Sequence, residues 1–578
     1  MKKLLALLLA LLLLCAALPA VAEEATEPEE HICGNFVYTV LPDDSAEIVH
    51  YLDIQSGYAE IPDSLDGHPV MSLRDNPFRD MLHLYMISVP DGHPTLEVIN
   101  GMLVYTPEMR LVCCPALYCN PCEIPDGIRS IGNYAFICND DPTVICLPDS
   151  VTSIGDYAFA EQYITQINIP DSVTYLGKSP FCYASVSSFD VSPDHPLLEV
   201  IDGVLFTKAD RRLVCFTGHN TDEYSVPEGT VSIDAGAFYR SIATSVTIPD
   251  SVTDIGDHAF YDCNDLYSIT IPDSVTAIGD HAFEYCGSLT SITIPDSVTS
   301  VGANPFFRCF SLQTVHVSKN HPVLEIIDGV LFSKPDKRLI FYPSFLTAHS
   351  YSVPDGTRCI DDDAFDACTS LTSITIPDSV TAIGDSAFLG CYSLTSLVIP
   401  DGVTAIRNRA FFYCRSLTSI VIPDSVTTIG KEAFSDCESL TSVTVPDSVT
   451  AIGDSAFYGC SSLTSVTIPD SVTRISDLAF YDCSSLTSLT IPDSVTYIGI
   501  GAFSDCSSLT SLTLPDSVTS IGGGAFSGCE SLTSVTVADS VTSIGNRAFS
   551  GCEDLVLTVT PGSYAEQYAQ ENNISYIY

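Results

Sequence analysis

Apolar and polar residues alternate in short stretches that recur along most of this chain. In the stretch 291–295, apolar Ile292 and Ile294 alternate with a serine and a threonine. This is the two-residue period of a β-strand with one buried face. Pro295 predicts the end of the strand, because proline has no N–H to donate to a neighbouring strand. Each such stretch is therefore predicted to be a short strand.

The stretches repeat with a fixed period of 23 residues. The prolines that show it best are Pro354, Pro377, Pro400, Pro423, Pro446, Pro469, Pro492 and Pro515. After each proline, Asp-Ser predicts a turn, a second apolar pair such as Val298 and Val301 follows, and Gly302 marks the next corner. A segment Ala-Phe-x-x-Cys then predicts one helical or 3₁₀ turn that points Phe and Cys inward. One unit cannot bury its apolar face alone, so a stack with parallel strands about 4.8 Å apart is predicted.

The repeated motif is Leu-Thr-Ser-Ile-Thr-Ile-Pro-Asp-Ser-Val-Thr-x-Ile-Gly-x-x-Ala-Phe-x-x-Cys, and it resembles the BspA-type leucine-rich repeat family, a treponemal-type class with a 23-residue unit. The resemblance implies a leucine-rich repeat solenoid with a parallel β-strand ladder, short strands and helical or 3₁₀ turns, a β-dominated α/β fold. Residues 23–70 resemble the family's opening unit, residues 71–560 its solenoid, and residues 561–578 its closing cap.

Three insertions, near residues 93–122, 195–224 and 321–351, interrupt the repeat. Each contains an apolar run, a polar turn and a second apolar run, which predicts a β-hairpin. Each also begins with a His-Pro pair, for which a role in a turn is predicted rather than catalysis. The scarce lysines and arginines gather at the hairpin tips, and we expect contact with a partner there. These candidate partner-binding residues are Lys208, Arg211, Arg212, Lys334, Lys337 and Arg338.

The first 22 residues have the parts of a secretory signal peptide. A basic start, an apolar run from Leu4 to Leu14 and a small-residue ending at Ala22 predict cleavage after that alanine. A retained membrane anchor is an alternative, but the apolar stretch is at the short limit for a span and contains Pro19. A lipoprotein signal at Cys15 is another alternative. No second long apolar segment follows, so export is predicted, with no transmembrane segment in the mature chain.

The charge of the chain limits its partners. It has 72 acidic against 23 basic residues, a formal net charge of −49. Such a charge repels nucleic acid and anionic lipid, so neither is expected as a partner. With 16% charged and 46% hydrophobic residues, the composition also argues against disorder.

Of the 23 cysteines, 12 occupy the same position of the repeat. They are Cys263, Cys286, Cys309, Cys368, Cys391, Cys414, Cys437, Cys460, Cys483, Cys506, Cys529 and Cys552. Free, buried thiols are predicted for them, because stacked identical side chains point in parallel and disulfide geometry is not met. Disulfides between neighbouring units are the alternative. A separate cluster of Cys113, Cys114, Cys119 and Cys122 is predicted to hold a local disulfide, with a metal site as a more remote alternative.

Two further columns of polar residues follow from the repeat. The aspartate after each proline, for example Asp378, is interpreted as a turn residue facing solvent, since no loop has the ligand spacing of a calcium site. Serine and threonine flank the buried strand residue, as Ser373 and Thr375 do. They are interpreted as a solvated strand face, or alternatively as a broad neutral surface that contacts a protein or glycan.

No motif of an enzyme, cofactor or metal site is present. The chain has no His-Glu-x-x-His, nucleophile elbow, P-loop or dinucleotide fingerprint. The family resemblance implies a secreted or surface protein, since several members are linked to binding matrix proteins such as fibronectin and fibrinogen. We therefore expect an adhesin that contacts an extracellular protein or glycan of matrix or mucosal type. The alternatives are a structural scaffold and a non-catalytic accessory that captures polysaccharide.

Overall fold

The computed structural model describes residues 29–54, 56–81, 84–115, 122–136, 139–217 and 222–578. The predicted signal peptide and Cys119 lie outside these ranges. The chain divides into two compact units. One contains the described part of Met1–Asp141 with Leu147–Ala160 and Ser172–Gly177, and the other contains Pro142–Cys146, Glu161–Asp171 and the described part of Lys178–Tyr578.

Most of the secondary structure consists of strands of two to four residues. The strands up to the second insertion are β1 Glu30–Cys33, β2 Phe36–Val40, β3 Ala46–Tyr51, β4 Tyr58–Glu60, β5 Ser64–Leu65, β6 His68–Leu73, β7 Met86–Ser88, β8 Leu96–Ile99, β9 Met102–Tyr105, β10 Arg110–Cys113, β11 Cys122–Glu123, β12 Ser130–Ile131, β13 Asn139–Cys146, β14 Ser153–Ile154, β15 Gln162–Ile169, β16 Tyr175–Leu176, β17 Ser185–Val186 and β18 Phe189–Val191.

The strands from the second insertion to the end of the third are β19 Leu198–Ile201, β20 Val204–Thr207, β21 Arg212–Cys215, β22 Glu223–Ser225, β23 Ser232–Ile233, β24 Ser245–Thr247, β25 Asp254–Ile255, β26 Ser268–Thr270, β27 Ala277–Ile278, β28 Ser291–Ile294, β29 Ser300–Val301, β30 Thr314–Val317, β31 Leu324–Ile327, β32 Val330–Ser333 and β33 Arg338–Phe341.

The remaining elements are β34 Ser350–Ser352, β35 Cys359–Ile360, β36 Ser373–Thr375, β37 Ala382–Ile383, β38 Ser396–Val398, β39 Ala405–Ile406, β40 Ser419–Val421, β41 Thr428–Ile429, β42 Ser442–Thr444, β43 Ala451–Ile452, β44 Ser465–Thr467, β45 Arg474–Ile475, β46 Tyr497–Ile498, β47 Ser511–Thr513, β48 Ser520–Ile521, β49 Ser534–Thr536, β50 Ser543–Ile544, β51 Val556–Thr558, α1 Tyr564–Glu571 and β52 Ser575–Ile577.

Most repeats contribute one strand, usually of three residues, to a parallel ladder, as the alternation predicts. The repeat that contains Thr490 contributes only an isolated bridge, between Thr490 and Thr467. In β28, Ile292 and Ile294 are buried while Ser291 and Thr293 are exposed. The strand ends at Ile294, directly before Pro295, whose carbonyl oxygen accepts a 3.1 Å hydrogen bond from the N–H of the buried valine three residues later. The predicted strand and the predicted Pro-Asp-Ser turn are both confirmed.

A second parallel ladder consists of two-residue strands that the sequence did not reveal. It runs through β23, β25, β27 and β29 and places one residue of each strand in the core, for example Val301. The glycine that follows lies against the turn of the preceding unit. A Cβ added at Gly302 would lie 2.5 Å from the backbone nitrogen of Asp280, so any side chain there would require the turn of the preceding repeat to shift.

The Ala-Phe-x-x-Cys segments are successive single turns. In one of them the N–H of Leu389 donates to the oxygen of Ser386 at 2.9 Å, and the N–H of Cys391 donates to the oxygen of Phe388 at 3.2 Å. Ser386 and Gly390 have positive φ, at 53° and 67°, and these left-handed residues stop the turns from continuing as a helix.

Stacked phenylalanines form the centre of the core. The rings of Phe388 and Phe411 are 5.3 Å apart between centroids and tilted by only 2°, and the same stack continues through Phe434 and Phe457. All four side chains are fully buried. Because every 23-residue repeat carries the same apolar residues, each repeat buries its apolar face against the neighbouring repeats, as a solenoid requires.

The insertions form three-stranded antiparallel meanders instead of single hairpins. In the third, β31 pairs with β32 and β32 pairs with β33, and β33 then pairs in parallel with β35 of the two-residue ladder. The first turn is Asp328-Gly329, with φ of 52° and 85°. Two central residues with positive φ suit the twist of a tight hairpin. The predicted hairpin is present, and the extra strand β31 precedes it.

The two ends of the described chain differ from the repeat. Strands β1, β2 and β3 pair antiparallel near the start. At the end, α1 is capped by the Ser563 hydroxyl, which accepts the N–H of Glu566 at 3.2 Å. Strand β52 then pairs in parallel with β51. Tyr568 of α1 is buried, and its ring contacts the last phenylalanine of the stack, Phe549, at 6.2 Å between centroids.

Candidate binding surfaces

The exposed face of the three-residue ladder carries the predicted serines and threonines; we call it the hydroxyl face. On β47 and β49 the first and third residues are exposed and the middle residue is buried. The strands are in register, so Ser511 lies beside Ser534, and Thr513 beside Thr536. The result is a regular, uncharged surface. In two neighbouring strands valines replace the threonine, and Val398 and Val421 are 64% and 56% exposed.

A second set of threonines forms hydrogen bonds between neighbouring repeats. The Thr395 hydroxyl donates to the backbone oxygen of Thr372 at 3.1 Å, and the Thr418 hydroxyl donates to the oxygen of Thr395 at 3.0 Å. These hydroxyls add hydrogen bonds between units. Sequence reasoning did not separate these threonines from those of the hydroxyl face.

Aspartate and asparagine side chains two residues after the strands of the second ladder also form hydrogen bonds between neighbouring repeats. Asp257 Oδ1 accepts the N–H of Asp280 at 2.9 Å, and Asn408 Oδ1 accepts the N–H of Lys431 at 2.9 Å. The aspartate that follows each strand proline is different, since Asp378 is exposed, as the sequence predicted.

The cysteines of the repeat are free and mostly fully buried, as the sequence predicted. Cys437 Sγ donates to the backbone oxygen of Phe411 at 3.3 Å, and Cys460 Sγ donates to that of Phe434 at 3.2 Å. Burial raises the pKa of the Cys437 thiol well above its ordinary value. The column is therefore part of the core.

The separate cysteine cluster lies partly outside the described residues. Cys113 and Cys122 are free thiols. Cys114 Sγ and Cys122 Sγ are 4.0 Å apart, which is contact distance and not bond length. Cys114 and Cys122 therefore do not form a disulfide with each other, and the predicted local disulfide stays a prediction because Cys119 lies outside the described residues.

The histidine of the His-Pro pair organises the start of each meander. His321 Nε2 lies 3.0 Å from the backbone oxygen of Pro295, and its Nδ1 accepts the N–H of Leu324 at 3.0 Å. His195 repeats both contacts in the second insertion, at 3.0 Å each. Burial lowers the pKa of both imidazoles. The predicted turn role is confirmed.

The two candidate lysines that begin the tips reach back to the same loop. Lys334 Nζ donates to the backbone oxygen of His321 at 2.7 Å, and Lys208 Nζ donates to that of His195 at 2.7 Å and that of Pro193 at 3.2 Å. Both side chains therefore stabilise the meander in which they lie.

Two of the candidate arginines pair with buried carboxylates. Arg338 Nη1 lies 2.6 Å from Asp361 Oδ2, and Arg212 Nη1 lies 3.2 Å from Asp234 Oδ2. Burial raises the pKa of Asp361 to about 6 and that of Asp234 to about 7, while the neighbouring guanidinium lowers each pKa. Each arginine therefore offsets the burial of a charge.

The last two candidates differ from each other. Arg211 forms an ion pair with Glu199 in its own meander. Lys337 is exposed at the tip of the third meander, with a positive φ of 59°. Of the six sequence candidates, Lys337 is thus the one whose side chain extends into solvent.

A proline marks the unit before each insertion, a signal that the sequence reasoning missed. Asn76-Pro77-Phe78, Ser179-Pro180-Phe181 and Asn304-Pro305-Phe306 replace the usual x-Ala-Phe. In the third of these, the turn lies directly on the turn that follows the insertion. Asn304 Nδ2 donates to the oxygen of Asp363 at 2.8 Å, although the two residues are 59 positions apart.

Ionisable side chains gather where the third insertion leaves the stack. His281 Nε2 lies 3.8 Å from Asp363 Oδ2, and Arg308 Nε lies 3.5 Å from Asp366 Oδ2. Burial, reinforced by neighbouring carboxylates, raises the pKa of Asp363 to about 8. Burial also raises the pKa of Asp366 to about 7, although Arg308 lowers it. Among the described residues, no three His, Cys, Asp or Glu side chains are grouped closely enough to bind a metal ion.

An open cavity of about 560 Å³ lies beside this cluster, and we call it the junction groove. Its lining includes Arg308, Phe310, Phe345, Asp366, Tyr392 and Tyr413. Phe310 is 53% exposed, Tyr392 45% and Phe345 38%. The groove therefore combines aromatic surface open to solvent with a guanidinium and a carboxylate.

Comparison with known families identifies the repeat. A family model described as BspA type leucine rich repeat region (6 copies) matches residues 116–209, 212–335, 338–451 and 427–556. The chain belongs to this family. The resemblance predicted from the motif is confirmed, and so is the leucine-rich repeat solenoid with its parallel ladders. A comparison of the BspA-type chain with curated proteins gave no match.

Several solved structures are similar to this BspA-type protein. A leucine-rich repeat protein from Bacteroides ovatus is 28% identical over 66% of this chain and 98% of its own, with a TM-score of 0.39. A leucine rich cell surface protein from Faecalibacterium prausnitzii is 25% identical over 80% of this chain and 94% of its own, with a TM-score of 0.36. The T. pallidum leucine rich repeat protein TpLRR is 38% identical over 28% of this chain and 78% of its own, with a TM-score of 0.27.

Within the described ranges, no helix has both the length and the apolar character that a membrane span requires.

Proposed function

We propose that this BspA-type protein is exported and acts outside the cell as a non-catalytic binding protein, an adhesin that contacts extracellular proteins or glycans. The hydroxyl face carries this proposal. It offers many equivalent, uncharged contact positions on in-register strands, for example Ser511 beside Ser534. Equivalent positions on a rigid ladder allow weak contacts to add up through multivalency. The export step rests on the signal-peptide pattern of residues 1–22.

The charge of the chain selects among partners. A net charge of −49 disfavours nucleic acid and strongly anionic polymers. The hydroxyl face can exchange hydrogen bonds with neutral partners, because a hydroxyl both donates and accepts. A neutral or basic protein surface, or an uncharged glycan, is the partner that fits.

The meander tips form a second proposed contact region. Of the six cationic candidates, Lys337 is the one we expect to act directly, because it is exposed. The internal contacts of Lys208, Lys334, Arg212 and Arg338 mean that their loss would first disturb the meanders.

A binding array of matrix proteins and mucin glycans, probed with residues 23–578, tests the proposal. We expect at least one partner, whose binding weakens when Thr467 and Thr513 on the hydroxyl face are both replaced by lysine. The variant Lys337→Ser tests the tip separately. Failure to bind any partner would support the structural scaffold instead, and turnover of a peptide, ester or glycoside that is lost on changing one side chain would contradict the non-catalytic role.

A further inference from the structure

The junction groove includes exposed aromatic residues that the repeat itself does not need. The position after the repeat cysteine carries the aromatic side chains of Phe310 and Tyr392 at the groove. Further along the chain, Ser461, Ser484 and Ser507 occupy that position. Phe388 and Phe411 stack in the unit of Tyr392 as Phe457 and Phe480 do further along the chain, at 5.3 Å between centroids in both pairs. The exposed ring of Tyr392 is therefore not needed for the core stack.

The two tyrosines of the groove, Tyr392 and Tyr413, are held in place before any ligand arrives. The Arg415 guanidinium lies 5.7 Å from the ring centroid of Tyr392 and 5.2 Å from that of Tyr413. The ring of Phe412 contacts Tyr413 edge-on, at 4.4 Å between centroids. Rings fixed in this way lose little freedom when a ligand packs on them.

The polar groups of the groove complement one another. Arg308 can only donate hydrogen bonds and Asp366 can only accept them when ionised, and the two are 3.5 Å apart. The hydroxyls of Ser344 and Thr369, which also line the groove, can do both. A ligand with several hydroxyls on an otherwise flat, C–H-bearing ring would satisfy both the rings and the polar groups.

We propose that the junction groove binds an uncharged saccharide, with pyranose rings packed on Tyr392 and Phe345 and hydroxyls bonded to Arg308 and Asp366. The weakly positive C–H groups of a pyranose face suit the negative face of an aromatic ring. A cavity of about 560 Å³ has the size of a small-ligand site.

Charge disfavours an anionic small ligand in the groove. An anion would meet Asp366 and the field of a chain with a net charge of −49. An uncharged ligand avoids this repulsion.

This inference deepens the proposed binding function and rests on it. The test uses residues 23–578 and isothermal titration with maltohexaose, cellohexaose, xylohexaose and mannohexaose, with polygalacturonate as an acidic comparison. We expect one neutral oligosaccharide to bind, and the double variant Tyr392→Ala, Phe345→Ala to weaken it by about tenfold or more. Tyr267→Ala is the matched control, because Tyr267 is 63% exposed and outside the groove lining.

A second variant provides a measurement of binding that does not depend on the folding of the double variant. The chain has no tryptophan, so Tyr392→Trp places a single one in the groove. Its fluorescence should change when the bound sugar is added. If no neutral oligosaccharide binds, or if the double variant binds as well as the parent chain, the inference is wrong. Binding to a matrix protein without any sugar binding would leave the proposed function standing and overturn the saccharide groove alone.

Discussion

Asn304 Nδ2 donates a 2.8 Å hydrogen bond to the backbone oxygen of Asp363, across the third insertion. Its Oδ1 also accepts the N–H of Phe306 at 3.3 Å, so one buried amide ties two turns together. Asn76 makes the corresponding bond to the oxygen of Tyr134 at 2.8 Å. A buried side-chain amide thus lets the core stack continue while the insertion leaves it.

Replacing this amide should destabilise the fold. We expect Asn304→Ala to lower the free energy of unfolding by about 1–3 kcal/mol, because buried backbone groups lose their partner. Denaturant titration followed by circular dichroism measures it. Asn320→Ala, at an exposed position directly before the same insertion, should change the free energy of unfolding little. Equal stability of the two variants would mean that the bond does not hold the junction.

The tip cations should separate into structural and exposed residues. Arg338→Ser leaves buried Asp361 without its guanidinium, so we expect a loss of about 1–3 kcal/mol in thermal or denaturant unfolding. Lys337→Ser, one residue away, should leave stability unchanged because Lys337 is exposed. If both substitutions leave stability unchanged, the ion pair is not a support of the meander.

The 23-residue repeat made the fold predictable from the sequence. The junction groove was not predictable, because it lies where an insertion interrupts the repeat. Alternation at Ile292 and Ile294 was enough to place the three-residue ladder. The two-residue strands were missed because a pair such as Ser300–Val301 is too short to show a period. Phe310 and Tyr392 line one groove only because an insertion between them leaves the stack, and no local pattern predicts that meeting.

The repeat cysteines should resist modification in the native protein. Cys391 and Cys529 are fully buried, and burial raises the pKa of the Cys529 thiol well above its ordinary value. We expect iodoacetamide to label none of the repeat cysteines from Cys391 to Cys529 in the native chain. After denaturation without a reducing agent, all of them should be labelled. Mass spectrometry of the peptides measures both results. Cys552 is only partly buried, with its pKa raised to about 11, and should react first of the column. Disulfide-linked peptides from the column would contradict this.

The carboxylate cluster at the third junction should make stability depend on pH. Folded Asp363 has a pKa raised to about 8, first by burial and then by the charges of Asp366, Asp362 and Glu284. An unfolded aspartate titrates near pH ~4. Between these values the folded state binds more protons than the unfolded state, so this carboxyl lowers the free energy of unfolding as pH rises.

The nearby histidine acts in the opposite direction, which fixes the window for the measurement. Burial lowers the pKa of His281. The free energy of unfolding therefore falls as pH falls below about 6.5, because the unfolded histidine then binds a proton more readily than the folded one. From pH about 6.5 to about 8.5, we expect Asp363→Asn to lose less stability than the parent chain, by on the order of 1 kcal/mol. The exposed substitution Asp378→Asn is the control. Denaturation curves at several pH values measure the slopes, and parallel slopes for the parent chain and Asp363→Asn would show that Asp363 is already ionised at neutral pH in the folded state.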